Sequence, residues 1–246
     1  MTISPALAFS PDGQILVSGS TKMRPPLHLW NVADGRLLSD LSATPWTINA
    51  AAFSPDGQTL ATARQLFRVR DGQLLQTFAN TADPVAFSPD GNLLVTGSCD
   101  NTIKLWNAGD GHLLRKLDAQ QYDLTALALS PDGQYLAASQ RTVAPDWHRL
   151  GAPDNVISLW RLRDGQLLRR ISRPLTDVYR MTFSPDGRLL AVACEESVTL
   201  WRVQDGQMAH RFAEANRQVA FVAHSDLLAT GCPEGGVKFW RLQDGR

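Results

Sequence analysis

The chain has 246 residues, 43% of them hydrophobic, with Lys+Arg and Asp+Glu balanced at 24 each. That is enough length and apolar content to bury a sizeable core, while a formal net charge of zero removes any global field favouring nucleic acid or an anionic membrane. No apolar run approaches the roughly 18 residues that a membrane-spanning helix needs, and the opening MTISPALAFSPDG lacks the basic-then-apolar order of a secretory leader.

In chain order, a first unit opens with Ala6–Ser10, turns at Pro11-Asp12-Gly13, runs through Ile15–Ser18 and reaches Leu29-Trp30 and Asp34-Gly35. A second has Phe53-Ser-Pro-Asp-Gly57, Leu66-Phe67 in place of Leu-Trp, and Asp71-Gly72. The third, Phe87 to Leu117, shows the unit most fully. Ser-Pro-Asp-Gly (88–91) turns the chain, Leu93–Gly97 and Thr102–Trp106 follow as strands, Asp110-Gly111 turns it again, and Leu113–Leu117 leads away. Pro presets φ at the first corner of such a turn and Gly accepts the positive φ that other residues resist. The fourth unit has Leu129-Ser-Pro-Asp-Gly133, Leu159-Trp160 and Asp164-Gly165, and the fifth Phe183-Ser-Pro-Asp-Gly187, Leu200-Trp201 and Asp205-Gly206. The sixth is worn: Phe221-Val-Ala-His-Ser-Asp226 replaces the first turn, while Phe239-Trp240 and Asp244-Gly245 remain.

The glycines of the second turn fall at 35, 72, 111, 165, 206 and 245, so the spacings are 37, 39, 54, 41 and 39 residues. A period near 40 with four strands per repeat marks propeller blades. In Thr102–Trp106, Ile103 and Leu105 point to one face, Lys104 and Trp106 to the other. Blades are covered on both faces, so Trp30, Trp106, Trp160, Trp201 and Trp240 are expected in the core. The expected fold is an all-β propeller of six four-stranded blades, roughly 5–41, 47–79, 83–117, 124–171, 178–212 and 217–246, in one domain.

These residues resemble WD40 repeats of the bacterial type, with F-S-P-D-G before the second strand and I-x-L-W closing the third. The resemblance implies that the Asp-Gly turns share one rim of the disc and that the loops on the opposite rim dock partners. It also exposes departures. The family often carries Gly-His between blades, the His joining Trp, Ser or Thr, and Asp in a hydrogen-bonded tetrad. No inter-blade segment here contains Gly-His, and Asp stands at the tetrad offset only as Asp100 and Asp154, with Glu195, Glu234 and Arg24 elsewhere. Blade rigidity is therefore expected to come mainly from packing. The sixth blade stops at its second turn, so it lacks its outermost strand and Val237–Leu242 is an edge open to strand addition. The family commonly has seven blades, and a seventh could lie outside this chain. Bacterial repeats of this kind are often joined to a kinase or a signalling NTPase, which would make this chain the sensor part of a larger signalling protein.

No catalytic, cofactor or metal motif stands out: G-x-S-x-G, H-E-x-x-H and a Gly-rich phosphate loop are absent, and His28, His112, His148, His210 and His224 lack metal-ligand spacing. His28 and His112 are expected in solvent. Cys99, Cys194 and Cys232 lie far apart, as expected of reduced thiols in a cytoplasmic protein. The fourth repeat is about fifteen residues longer than its neighbours, and the excess is Gln140–Asn155, QRTVAPDWHRLGAPDN. Arg141, Trp147, His148 and Arg149 on that loop are candidate partner contacts, since Trp and Arg anchor interfaces. The alternative is that Trp147 folds back onto the blade edge. Arg24, in the smaller insertion Ser20–Pro26, and Trp46, Tyr122, Tyr179 and Arg180, between blades, reach the same rim by the resemblance.

The expected function is a noncatalytic scaffold or sensor that binds a protein or peptide, not nucleic acid or membrane. A propeller hydrolase is the alternative, with Asn49, Asp83, Asp123 and Asp177 near the central channel. A decayed structural fragment is a third reading.

Overall fold

A computed structural model of the chain describes residues 6–19, 27–41, 50–119, 122–142, 155–172, 177–195, 197–213, 216–222, 225–232 and 234–242. The chain divides into two compact units, residues 1–118 and 119–246. Each is a succession of antiparallel sheets whose strands pair in chain order.

The first unit holds three four-stranded sheets. Leu7–Phe9 (β1), Ile15–Ser18 (β2), His28–Asn31 (β3) and Leu37–Asp40 (β4) form the first, and Ala51–Phe53 (β5), Thr59–Thr62 (β6), Gln65–Arg68 (β7) and Leu74–Thr77 (β8) the second. Ala82–Phe87 (β9), Leu93–Gly97 (β10), Thr102–Asn107 (β11) and Leu113–Asp118 (β12) form the third.

The second unit begins with the fourth sheet, Tyr122–Leu129 (β13), Tyr135–Thr142 (β14), Asn155–Arg161 (β15) and Gln166–Ser172 (β16). The fifth is Val178–Phe183 (β17), Leu189–Cys194 (β18), Val198–Arg202 (β19) and Met208–Phe212 (β20). The sixth has three strands, Asn216–Phe221 (β21), Leu227–Gly231 (β22) and Val237–Arg241 (β23). The all-β fold, the repeat order and the short last sheet follow the expectation from sequence.

Turn chemistry explains why the strands start where they do. In Ser184-Pro-Asp-Gly187 the Ser184 hydroxyl donates to Asp186 at 2.6 Å, accepts the Leu189 N–H at 2.9 Å, and Asp186 accepts the Arg188 N–H at 3.0 Å. The same Ser–Asp bond recurs at Ser10, Ser54, Ser88 and Ser130. It leads the interactions that hold Asp12, Asp56, Asp90 and Asp186 below the usual carboxylate range. Gly187 sits at φ +70, where a Cβ is strained. A Cβ at Gly57, Gly91 or Gly187 would lie 3.6, 3.4 or 3.9 Å from Pro11, Pro55 or Pro131, so first turns of consecutive repeats stack.

Within each unit the sheets pack by one rule: the Phe/Trp face of one sheet seats on the aliphatic face of the sheet before it. Phe53, Leu60 and Phe67 seat on Val17, Leu27 and Leu29, and Phe87, Leu94 and Trp106 on Ala61, Leu66 and Phe78. In the second unit Met181, Phe183 and Trp201 seat on Ala137, Ile157 and Leu159, while Val219, Leu228 and Trp240 seat on Val198, Leu200 and Phe212. Burying a side chain of this size stabilises by about 1.5–3 kcal/mol.

Trp106, Trp160 and Trp201 are core residues as expected, but Trp30 and Trp240 are only half-buried. Trp30 shares its face with exposed Leu7 and Phe9, and Trp240 lies on the last strand of its sheet. His28 also departs from expectation. It is half-buried in β3, its ring 5.5 Å from that of Trp30, and its Nδ1 is buried without a hydrogen-bond partner.

Candidate functional site

The first strand of a sheet must end its pairing and hand the chain to a loop, and in four sheets it does so through a bulge. Register slips opposite Thr96/Gly97 in β9, between Leu124 and Ala126 in β13, between Val178 and Arg180 in β17, and between Asn216 and Val219 in β21. An extra residue in one strand bends it and re-aims a side chain. The residues so displaced are Asp83-Pro84, Thr125, Tyr179 and Arg217-Gln218.

In the second unit these bulges build a surface cluster. Tyr179 is 42% exposed, and the Arg217 guanidinium lies 4.8 Å from its ring centroid. Arg217 Nη2 also donates to Glu195 Oε1 at 2.9 Å, and its backbone holds φ +43. A non-glycine residue at positive φ is uncommon, and such strain collects at functional positions. On the neighbouring sheet Arg141 Nη1 lies 3.9 Å from Asp177 Oδ1. The Arg217–Glu195 pair is exposed and the Arg141–Asp177 pair half-buried, and each contributes at most about 1 kcal/mol. Their effect is geometric: an exposed phenol ring held against the Arg217 guanidinium, with Arg141 paired to Asp177 two residues before that ring.

Tyr179, Arg180 and Arg141 therefore sit on strands of one unit, with both Tyr179 and Arg180 exposed. Arg141 does not lie on a loop tip. β14 continues through Thr142, and Arg141 pairs in register with Asn155, so the inserted segment begins later than its composition suggests. Tyr122 opens β13 opposite Thr142. Arg24, Trp46, Trp147, His148 and Arg149 lie outside the described residues. Arg217 and Glu195 were not legible as contacts, because no single position in the repeat marks a bulge.

Asp177, a channel candidate by sequence, faces Arg141, and Asp83 lies in the β9 bulge. Among the described residues, no three His, Cys, Asp or Glu side chains group as a metal site. Nor is any helix long and apolar enough to cross a membrane.

The segments between repeats are tied by residues other than the family's histidine. Lys104, 3% exposed, donates from Nζ to the Asn80 carbonyl at 2.6 Å and lies 3.4 Å from Asp100 Oδ2. The Ser98 and Thr102 hydroxyls, then the Lys104 charge, hold the Asp100 carboxyl well below the usual carboxylate range. In the fourth sheet buried Gln140 does similar work, its Nε2 donating to the Ala119 carbonyl at 2.7 Å while Oε1 accepts from Ser158 at 2.5 Å. Within repeats, indole N–H groups link neighbouring strands, Trp30 to Ser18, Trp106 to Thr96 and Trp240 to Thr230, and Trp201 bonds Thr199 along its own strand, all within 2.8–3.0 Å. These hydrogen bonds act beside the packing that is expected to supply most of the rigidity of the repeats.

The family model of the WD40 repeat (WD domain, G-beta repeat) matches residues 5–23, 72–107, 111–161 and 165–202, together more than half of the chain. Among curated proteins, the small ribosomal subunit protein RACK1y of Oryza sativa subsp. japonica is 30% identical over 105 residues, covering 43% of this chain and 27% of that protein. The WD repeat-containing protein slp1 of Schizosaccharomyces pombe is 33% identical over 109 residues, 43% of this chain and 20% of slp1. Telomerase protein component 1 of Rattus norvegicus is 28% identical over 216 residues, 83% of this chain and 8% of that protein. The matched stretch thus spans 27% or less of each of these relatives. The chain belongs to the WD40 repeat family.

Proposed function

We propose that this chain is a noncatalytic interaction platform that holds a protein or peptide at the strand-entry end of its second unit. The observation that carries this reading is the Tyr179 ring, exposed yet held against Arg217 by two bulged strands. An aromatic anchor ordered before binding loses little freedom on capture, and Tyr and Arg dominate interface energetics. Arg180 and Arg141 belong to the same unit, and the sequence adds Tyr122, Trp147, His148 and Arg149 there, and Arg24 and Trp46 in the first unit, as further candidate contacts. A polypeptide suits it better than nucleic acid or membrane, because the formal net charge is zero. The edge of β23 is a second point where an extended peptide could add as a strand. A cytoplasmic sensor role within a larger signalling protein is consistent with this reading.

Panning a random peptide display library on the purified chain tests it. Peptides should be enriched on the native protein and lost by about tenfold or more on a Tyr179→Ala/Arg217→Ala variant, the loss of about 1.4 kcal/mol expected for a contact anchor. The melting temperature should hardly change. Trp147→Ala should weaken capture in the same way. Enriched peptides that bind every variant as well as the native chain would refute the site, and joint loss of capture and stability would make these residues structural.

A further inference from the structure

The fifth and sixth sheets bring together polar groups that the described residues leave without acceptors. Arg180 stands in register opposite Ala193, and Ala193 is buried in the interface with Val219 and Leu228 of the sixth sheet. Side chains directly opposite each other on paired strands leave the sheet on the same face, so Arg180 leaves β17 on the face that carries the sixth sheet. Arg217 stands two residues before Val219, in the β21 bulge, with its guanidinium against the Tyr179 ring. The two arginines and the tyrosine thus lie along one rim of a single sheet-to-sheet interface.

Their bonding is incomplete. Arg180 is exposed and shares no hydrogen bond or ion pair with the described residues. The Tyr179 hydroxyl has no hydrogen bond to them either. Arg217 donates from Nη2 to Glu195 Oε1 at 2.9 Å, a single bond where an Arg–carboxylate pair can make two. What remains is a set of donors with no acceptor of its own, and an anionic oxygen is the chemistry that answers it. Glu195 already shows the Arg217 guanidinium holding a carboxylate. Taken together, Arg180, Arg217 and Glu195 carry a single net positive charge, which one carboxylate neutralises, whereas a dianionic phosphate would exceed it beside Glu195.

We infer, on the basis of the interaction platform proposed above, that the partner is an acidic peptide whose Asp or Glu carboxylate seats between Arg180 and Arg217 beside the Tyr179 ring. Glu195 is then an internal competitor: it orders Arg217 in the free chain and contends with the incoming carboxylate for that guanidinium.

Peptides selected on the purified chain from a random display library test this by composition and by affinity. Those lost on the Tyr179→Ala/Arg217→Ala variant should be enriched in Asp and Glu. For a synthetic copy of one such peptide, fluorescence polarisation should show binding that weakens with added salt. Replacing its acidic residue by the matching amide should weaken binding about three- to fivefold, the range of an exposed ion pair. Arg180→Gln should cost a similar factor, and the two changes together little more than either alone. Glu195→Gln should strengthen binding by about twofold. A melting curve verifies the fold of each variant, and should Arg180→Gln unfold, Arg180→Met, which keeps the stem and removes the charge, replaces it. Tyr179-dependent peptides without acidic residues overturn the acidic-peptide assignment and leave the platform standing. So do acidic peptides indifferent to Arg180→Gln, or a phosphoserine replacement that binds more tightly than the carboxylate. If no selected peptide depends on Tyr179, the platform reading itself fails and this assignment fails with it.

Discussion

The fifth and sixth sheets carry nearly the same third strand, Val198-Thr-Leu-Trp-Arg202 and Val237-Lys-Phe-Trp-Arg241, and meet different fates. Val198 and Leu200 are 0% and 2% exposed, and Val237 and Phe239 61% and 60%. Both strands pair in the same register with the strand before them, Leu190 opposite Trp201 and Leu228 opposite Trp240. The alternation of the residues makes the strand, and the neighbouring sheet makes it core. Their first turns differ as well. Ser184 and Asp186 close the fifth repeat with the full hydrogen-bond set, whereas in the sixth Ser225 accepts the Leu227 N–H at 3.2 Å and donates to the Val222 carbonyl at 3.0 Å.

The largest separation between the two sheets is expected from truncating the third strand. Leu200→Ala should cost about 2–5 kcal/mol, as buried leucines do, while Phe239→Ala in dilute solution should stay within about 0.5 kcal/mol, as for an exposed site. Chemical denaturation of both variants measures this, and equal losses would mean that Phe239 is buried in solution.

The residue between the two aliphatic positions extends the comparison. Lys104 is buried on the Asn80 carbonyl beside Asp100, and its counterpart Lys238 is exposed, its Nζ 5.9 Å from the Trp240 ring centroid. Lys104→Ala removes a buried ammonium that donates to the Asn80 carbonyl and pairs with Asp100 and should cost about 2 kcal/mol, against about 0.5 kcal/mol or less for Lys238→Ala. The same denaturation curves would break the comparison if the two losses matched.

The turns should separate by less, and only above acid pH. Ser184→Ala removes the hydroxyl bonded to Asp186 and should cost about 1 kcal/mol at neutral pH, more than Ser225→Ala. The Asp186 carboxyl is lowered from 3.8, chiefly by Ser184. Its ionised form is therefore favoured in the folded chain, and its stabilisation is present above about pH 4 and lost as pH falls through the lowered value. The stability gap between Ser184→Ala and the native chain should narrow as pH is taken below that point. A gap constant with pH would assign the effect to the Leu189 N–H bond alone.

The smallest effect joins the two sheets. A double-mutant cycle on Tyr179→Ala and Arg217→Ala should give a coupling of about 0.5–1 kcal/mol, the range for an exposed cation–π contact. No coupling would separate the two side chains in solution.

Six repeats and their strand order were legible in the sequence because each rests on local chemistry. Ser-Pro-Asp-Gly makes its turn from its own hydroxyl, carboxylate and glycine, and period-two alternation makes a strand without knowing its neighbour. The candidate site was half legible: Tyr179, Arg180 and Arg141 stood out by residue type, yet Arg217 and Glu195 did not, since a bulge depends on pairing between strands. Arg141 was misplaced onto a loop because the length of β14 and β15 is set by their mutual pairing through Arg141 and Asn155. Lys104 read as one more residue beside a Trp, but only the fold brings it to the Asn80 carbonyl, 24 residues back. Local interactions within about five residues wrote the repeats into the sequence itself. Which apolar faces are buried, which lysine is paired and which tyrosine stands in solvent were decided only by sheets packing on sheets, since burial belongs to contacts between segments distant in the chain.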